Sequence, residues 1–225
     1  MRSLKRIKDT LKNKAVLIQF ILFPLLTVAL VNSVEIDHMP NNFFVNLFTT
    51  MFIGMAPMVS LSSIIAEEKE SNTLRVLLMS GVKAKEYLIG VSLYVVVLCM
   101  CGSLLMGLQA DYTQQELVAY LLIAFIGIIA SAIVGSIIGI YSKNQMQATS
   151  LTVPLMMIFS IFPMISYFNT KFRSITKFFY TQQMSNLFEG ISNIHLSTEI
   201  VLVLAGNMIL FLGLFVAIFW KKGFE

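Results

Sequence analysis

Residues 117–140 read LVAYLLIAFIGIIASAIVGSIIGI, with no charged side chain from Leu117 to Ile140. A helix rises about 1.5 Å per residue, so about 20 apolar residues cross the roughly 30 Å hydrocarbon core of a bilayer. This stretch is long enough to cross. Working outward, five further apolar stretches of similar length appear: Ala15–Val34, Phe43–Ile65, Tyr87–Leu108, Ala148–Tyr167 and Glu199–Trp220. Lipid offers no partner to backbone N–H and C=O groups, and none of these stretches alternates as a barrel strand does, so each is expected to be an α-helix. The expected fold is an all-α polytopic membrane protein with six transmembrane helices in a single domain over residues 1–225.

Composition agrees. Hydrophobic residues make up 57% of the 225 and charged residues 12%, against about 25% charged in a soluble domain. With a mean hydropathy of +0.81, this excludes a water-soluble enzyme. The net charge of +4 follows from topology rather than nucleic-acid binding. Arg2, Lys5, Arg6, Lys8, Lys12, Lys14, Lys69, Arg75, Lys83, Lys85, Lys143, Lys221 and Lys222 fall on one side of the six stretches, and Lys171, Arg173 and Lys177 on the other. The positive-inside rule then places both termini in the cytoplasm. Leu4, Ile7 and Leu11 recur at helical spacing among basic residues, which predicts an interfacial helix over residues 1–14. The first stretch has no convincing cleavage site and is expected to remain as a span.

Inside the spans the notable residues are small or apolar. Gly127, Ser131, Gly135 and Gly139 recur every fourth position, a face that lets another helix approach closely, within the chain or across a dimer. Cys99, Ser103 and Gly107 form a weaker version, and the two cysteines, Cys99 and Cys101, are read as packing residues. Pro24, Pro57, Pro154 and Pro163 fall within spans, where each tends to bend its helix. Phe48, Met51, Phe52, Met55 and Met58 line the second span as an adaptable apolar surface, a possible part of a cargo path. Thr113 and Glu116 have the spacing of a capping box. Every charged residue can be assigned outside the six stretches, with Glu199 at the start of the last, so none lies within the bundle where ion-coupled carriers usually keep one.

Between the second and third spans the chain reads AEEKESNTLRVLLMSG from Ala66 to Gly81. An acidic cluster continues a membrane helix, an apolar stripe of Leu74, Leu77 and Leu78 follows, and Gly81 suits a helix stop. Glu67, Glu68, Lys69, Glu70, Thr73, Leu74, Leu77 and Leu78 resemble the E-E-K-E-x-x-T-L-x-x-L-L signature of type-2 ATP-binding cassette (ABC) exporter permeases. Asn72 and Arg75 depart from it, where the family often has Gly and an acidic residue.

The resemblance implies a coupling helix near Ser71–Ser80, within a cytoplasmic segment 66–86, seated in a groove of a separate nucleotide-binding subunit. Glu67, Glu68 and Glu70 would orient that junction and Leu74, Leu77 and Leu78 anchor it, with Thr73 part of the same coupling segment. It also implies two copies of the chain, or this chain with a related permease, moving a hydrophobic or amphipathic peptide or drug outward. No G-x-x-x-x-G-K-[ST] loop occurs, so ATP and Mg are expected on the partner and no cofactor on this chain. An ATP-independent carrier or channel is the competing reading. An intramembrane enzyme finds no H-E-x-x-H, paired aspartates or serine–histidine pair to support it.

Residues 169–198 are long for a loop. Phe172, Ile175, Phe178 and Phe179, then Met184, Leu187, Phe188 and Ile191, predict two short interfacial helices on the outer side; in the family such helices lie near the exit gate. Glu189 and His195 there are read as solvent-facing rather than as metal ligands.

Overall fold

The computed structural model describes residues 14–34, 42–193 and 196–222. The proposed N-terminal interfacial helix and His195 lie outside the described residues. Nine α-helices are described: α1 (Lys14–Ser33), α2 (Phe43–Glu70), α3 (Thr73–Met79), α4 (Ala84–Gly107), α5 (Gln114–Tyr141), α6 (Gln145–Phe168), α7 (Thr170–Thr176), α8 (Tyr180–Glu189) and α9 (Thr198–Lys222). A 3-10 turn, Ile191–Asn193, follows α8. Five helices, α2, α4, α5, α6 and α9, are long and apolar enough to cross a membrane, and α1 adds a shorter apolar helix from Phe20 to Ser33.

The central element is α2, which packs on α1, α4, α5, α6 and α8. Its most apolar stretch is 72% buried, against 6% for α9, so α2 forms the bundle axis and α9 the periphery. Between helices in lipid, close van der Waals contact replaces the hydrophobic effect as the main attraction, and small residues permit it. The α5 stripe does this against α2. A Cβ on Gly135 would stand 2.6 Å from the Met58 carbonyl oxygen, so only glycine allows the two backbones to meet there. Gly127 meets Ile53 and Gly139 meets Ile65 along the same seam. On the other side of α2, Gly54 lies directly on the α6 backbone, where a Cβ would stand 2.7 Å from the Phe159 oxygen.

The α4 series also turns inward. Cys99 is buried, the Ser103 carbonyl accepts from the Tyr120 hydroxyl at 3.1 Å, and Gly107 lies against the Tyr120 ring. At the start of α5, Thr113 and Glu116 close a reciprocal capping box, as their spacing predicts.

Candidate functional site

The end of α2 is the most organised polar region at its end of the bundle. The helix continues through the acidic cluster to Glu70. Lys69 Nζ donates to the Ile140 carbonyl at the end of α5 (2.7 Å), and the Glu70 carboxylate accepts from the Gln145 N–H that opens α6 (2.9 Å). A cation thus meets a helix C-terminus and an anion a helix N-terminus, each the favourable sign for the helix dipole. Gln145 also reaches Ser63 (3.1 Å) and Thr152 reaches Ser62 (2.9 Å). The E-K-E cluster is therefore partly an internal staple joining α2, α5 and α6. Glu67 stands exposed beside it.

The chain then breaks at Asn72, which takes a left-handed conformation with φ 57°. Gly adopts that region most easily and Asn is among the few others that visit it. The departure from Gly at this position thus preserves the turn. Ser71 and Thr73 hydroxyls pair across the break at 2.9 Å. The short helix α3 follows, and its end is a complete Schellman motif. Gly81 has φ 90°, its N–H reaches the Leu78 carbonyl (3.1 Å), and the Val82 N–H reaches Leu77 (3.3 Å).

The orientation of α3 follows from its packing. Leu74 is 1% exposed, and Leu77 and Leu78 are partly buried against the core, so the leucine stripe packs α3 on its own bundle, Leu74 most fully. The apolar side chains left facing out are Val76 (65% exposed) and Met79 (80%), with Arg75 beside them. The leucines lie on the face that continues the packed face of α2, and the opposite face is what remains for contact.

Phe52 and Met58 are fully buried. Phe52 meets the Phe20 and Phe23 rings of α1 edge-on at 5.9 Å and contacts Gly102 of α4. These two residues pack the interior of one chain and present no surface to a cargo. Phe48, Met51 and Met55 are half-buried around them.

At the opposite end, residues 170–189 form two helices, but α8 does not lie on an interface with one wet face. Tyr180, Gln182, Gln183, Met184, Leu187 and Phe188 are all buried, because α8 is inserted among α2, α5, α6 and α9. Its polar groups are matched inside. Tyr180 and Ser131 hydroxyls pair at 2.6 Å, and Ser131 in turn donates to the Ile53 carbonyl. Gln182 Oε1 accepts from Ser166 and Thr176. Asn46 of α2 donates to the Phe188 carbonyl (3.3 Å) and accepts from Tyr112, and Thr49 pairs with Tyr120 at 2.6 Å. Sequence reading missed these hydroxyl and amide pairs. Gln182 and Gln183 side by side, between Tyr180 and Met184, are the signal that could have found them.

A cleft of 410 Å³ opens beside α8, lined among others by Arg173, Lys177, Gln182, Asn186 and Glu199. Arg173 donates to Asn186 (2.6 Å) and pairs with Glu189 (3.5 Å); Lys177 pairs with Glu199 (3.6 Å). Burial raises the Glu189 carboxyl above its ordinary range, opposed by Arg173 and a hydrogen bond from Ser185. Among the described residues no group of three or more His, Cys, Asp or Glu could hold a metal ion.

Apolar helices around a buried central helix, with a broken polar helix at one end and an inserted helix at the other, define a multi-pass α-helical membrane protein. A sequence model of the family described as ABC-2 family transporter protein matches residues 29–221, and the chain belongs to that family. Its members are membrane subunits that typically pair with an ATPase subunit. No curated protein and no solved structure matches the chain.

Proposed function

We propose that this chain is the membrane subunit of an ABC exporter. In this reading α1 completes six spans, both termini are cytoplasmic, and two copies, or this chain with a related permease, enclose the cavity. A cytoplasmic ATPase subunit binds ATP and Mg, and a hydrophobic or amphipathic peptide or drug moves outward. The observation that carries the reading is α3: a seven-residue helix joined to the bundle axis by a defined break, seated through Leu74, with Val76 and Met79 turned out. A push on that face reaches α2, because Leu74 and the stapled end of α2 leave little slack between them. Two packings of the bundle can then be biased by ATP binding elsewhere.

The test is co-purification in mild detergent followed by an ATPase assay. Val76→Asp with Met79→Asp leaves the chain folded and lowers retention of the ATPase subunit at least about tenfold, the effect of placing charges at the centre of an apolar contact. Recovery of the chain alone, with ATP-independent cargo flux in liposomes, would establish the carrier instead.

A further inference from the structure

The end of α5 holds two ammonium groups on successive residues. Lys69 donates to the Ile140 carbonyl (2.7 Å), and Lys222, near the end of α9, stands 3.9 Å over the Tyr141 ring. The two are close enough to repel one another. Among the described residues neither forms a salt bridge with a carboxylate, and Glu70, next in sequence to Lys69, is bonded to Gln145. A helix C-terminus and an aromatic face each supply only a fraction of a negative charge. Among the described residues, two full positive charges are therefore gathered with incomplete compensation.

Their surroundings bear on the kind of anion that suits the pair. The apolar stretch of α9 is 6% buried, so its outer surface is open to lipid, and Trp220 is 87% exposed beside Lys221, the arrangement of a membrane-interface anchor. Basic pockets between helix ends at such a boundary suit anionic headgroups. We propose that the phosphate of an acidic phospholipid bridges Lys69 and Lys222 at the seam where α2, α5 and α9 end, with its acyl chains along α9. Zwitterionic lipids fit less well, because their own ammonium group competes for the phosphate.

Native mass spectrometry of the purified chain, with phosphatidylglycerol or phosphatidylcholine added, tests this. Because the readout is lipid retention, its failure is distinct from failure of the export reading. The wild type retains phosphatidylglycerol preferentially. Lys222→Met, at a partly exposed position, reduces retention about tenfold, the usual worth of a hydrogen bond to a charged group. Lys69→Met does the same, whereas Lys222→Arg and Lys221→Met retain the lipid. Equal retention of the two lipids, or an equal loss in Lys221→Met and Lys222→Met, would overturn the site. Displacement of the lipid by millimolar inorganic phosphate would reassign it to free phosphate.

Discussion

At Gly135 the cost of one methyl group can be read directly. The α2 backbone lies 2.6 Å from where a Cβ would stand, whereas Gly206 on α9 has nothing within 4 Å. Gly135→Ala should therefore destabilise the chain by about 1–3 kcal/mol through overpacking, and Gly206→Ala should leave it unchanged or slightly stabilised. Thermal midpoints in detergent distinguish the two. Tyr180→Phe removes the pairing with Ser131 while Ser131 keeps its bond to Ile53, so a loss of about 1 kcal/mol is expected. Glu189 carries a pH dependence. Its folded-state carboxyl is raised by burial, so its contribution to stability is fully present below the ordinary carboxylate range and is lost as pH rises through the raised value. Glu189→Gln should flatten the part of the pH–stability profile that lies above the ordinary carboxylate range, an outcome checked by thermal midpoints at several pH values.

Among the elements, α3 and α8 show how far local pattern reaches. The bounds of α3, Thr73–Met79, lie inside the stretch Ser71–Ser80 that the family resemblance implies, because a left-handed Asn and a left-handed Gly are local stops. Asn72→Gly should keep the turn, and Asn72→Val should strain it, since a β-branched residue resists positive φ; loss of thermal stability in the second variant alone checks this. Which way α3 faces was not legible, because one leucine stripe reads the same whether it meets its own bundle or a partner. Leu74→Asp should cost the chain its fold, in contrast to the paired change at Val76 and Met79. For α8, an amphipathic pattern suggested an interface. Only the Ser131 hydroxyl of α5, the Ser166 hydroxyl of α6 and the Thr176 hydroxyl and Lys177 carbonyl around the end of α7 reveal that Tyr180 and the glutamines can be satisfied inside.

The whole molecule carries the topology. If α1 completes six spans, Lys85 and Lys143 share one side of the membrane, with Asp111 and Lys171 on the other. In a Cys101→Ser background, single substitutions Asp111→Cys and Lys171→Cys should react with an impermeant maleimide on intact cells, and Lys85→Cys and Lys143→Cys only after permeabilisation. Labelling of all four from outside would break the six-span arrangement.

The sequence by itself determined the helical class, the five long apolar helices to within about a turn, the α5 capping box, and the stop of α3 at Gly81. These depend on hydropathy summed along a segment and on backbone preferences of single residues, which are local quantities. Tertiary structure alone decided that the α5 stripe meets α2, that Phe52 and Met58 are core, that Lys69 and Glu70 staple helix ends, and that α8 is inserted. Each of those depends on which distant group stands opposite a side chain, and a small or polar residue looks the same in one dimension whatever it will meet in three.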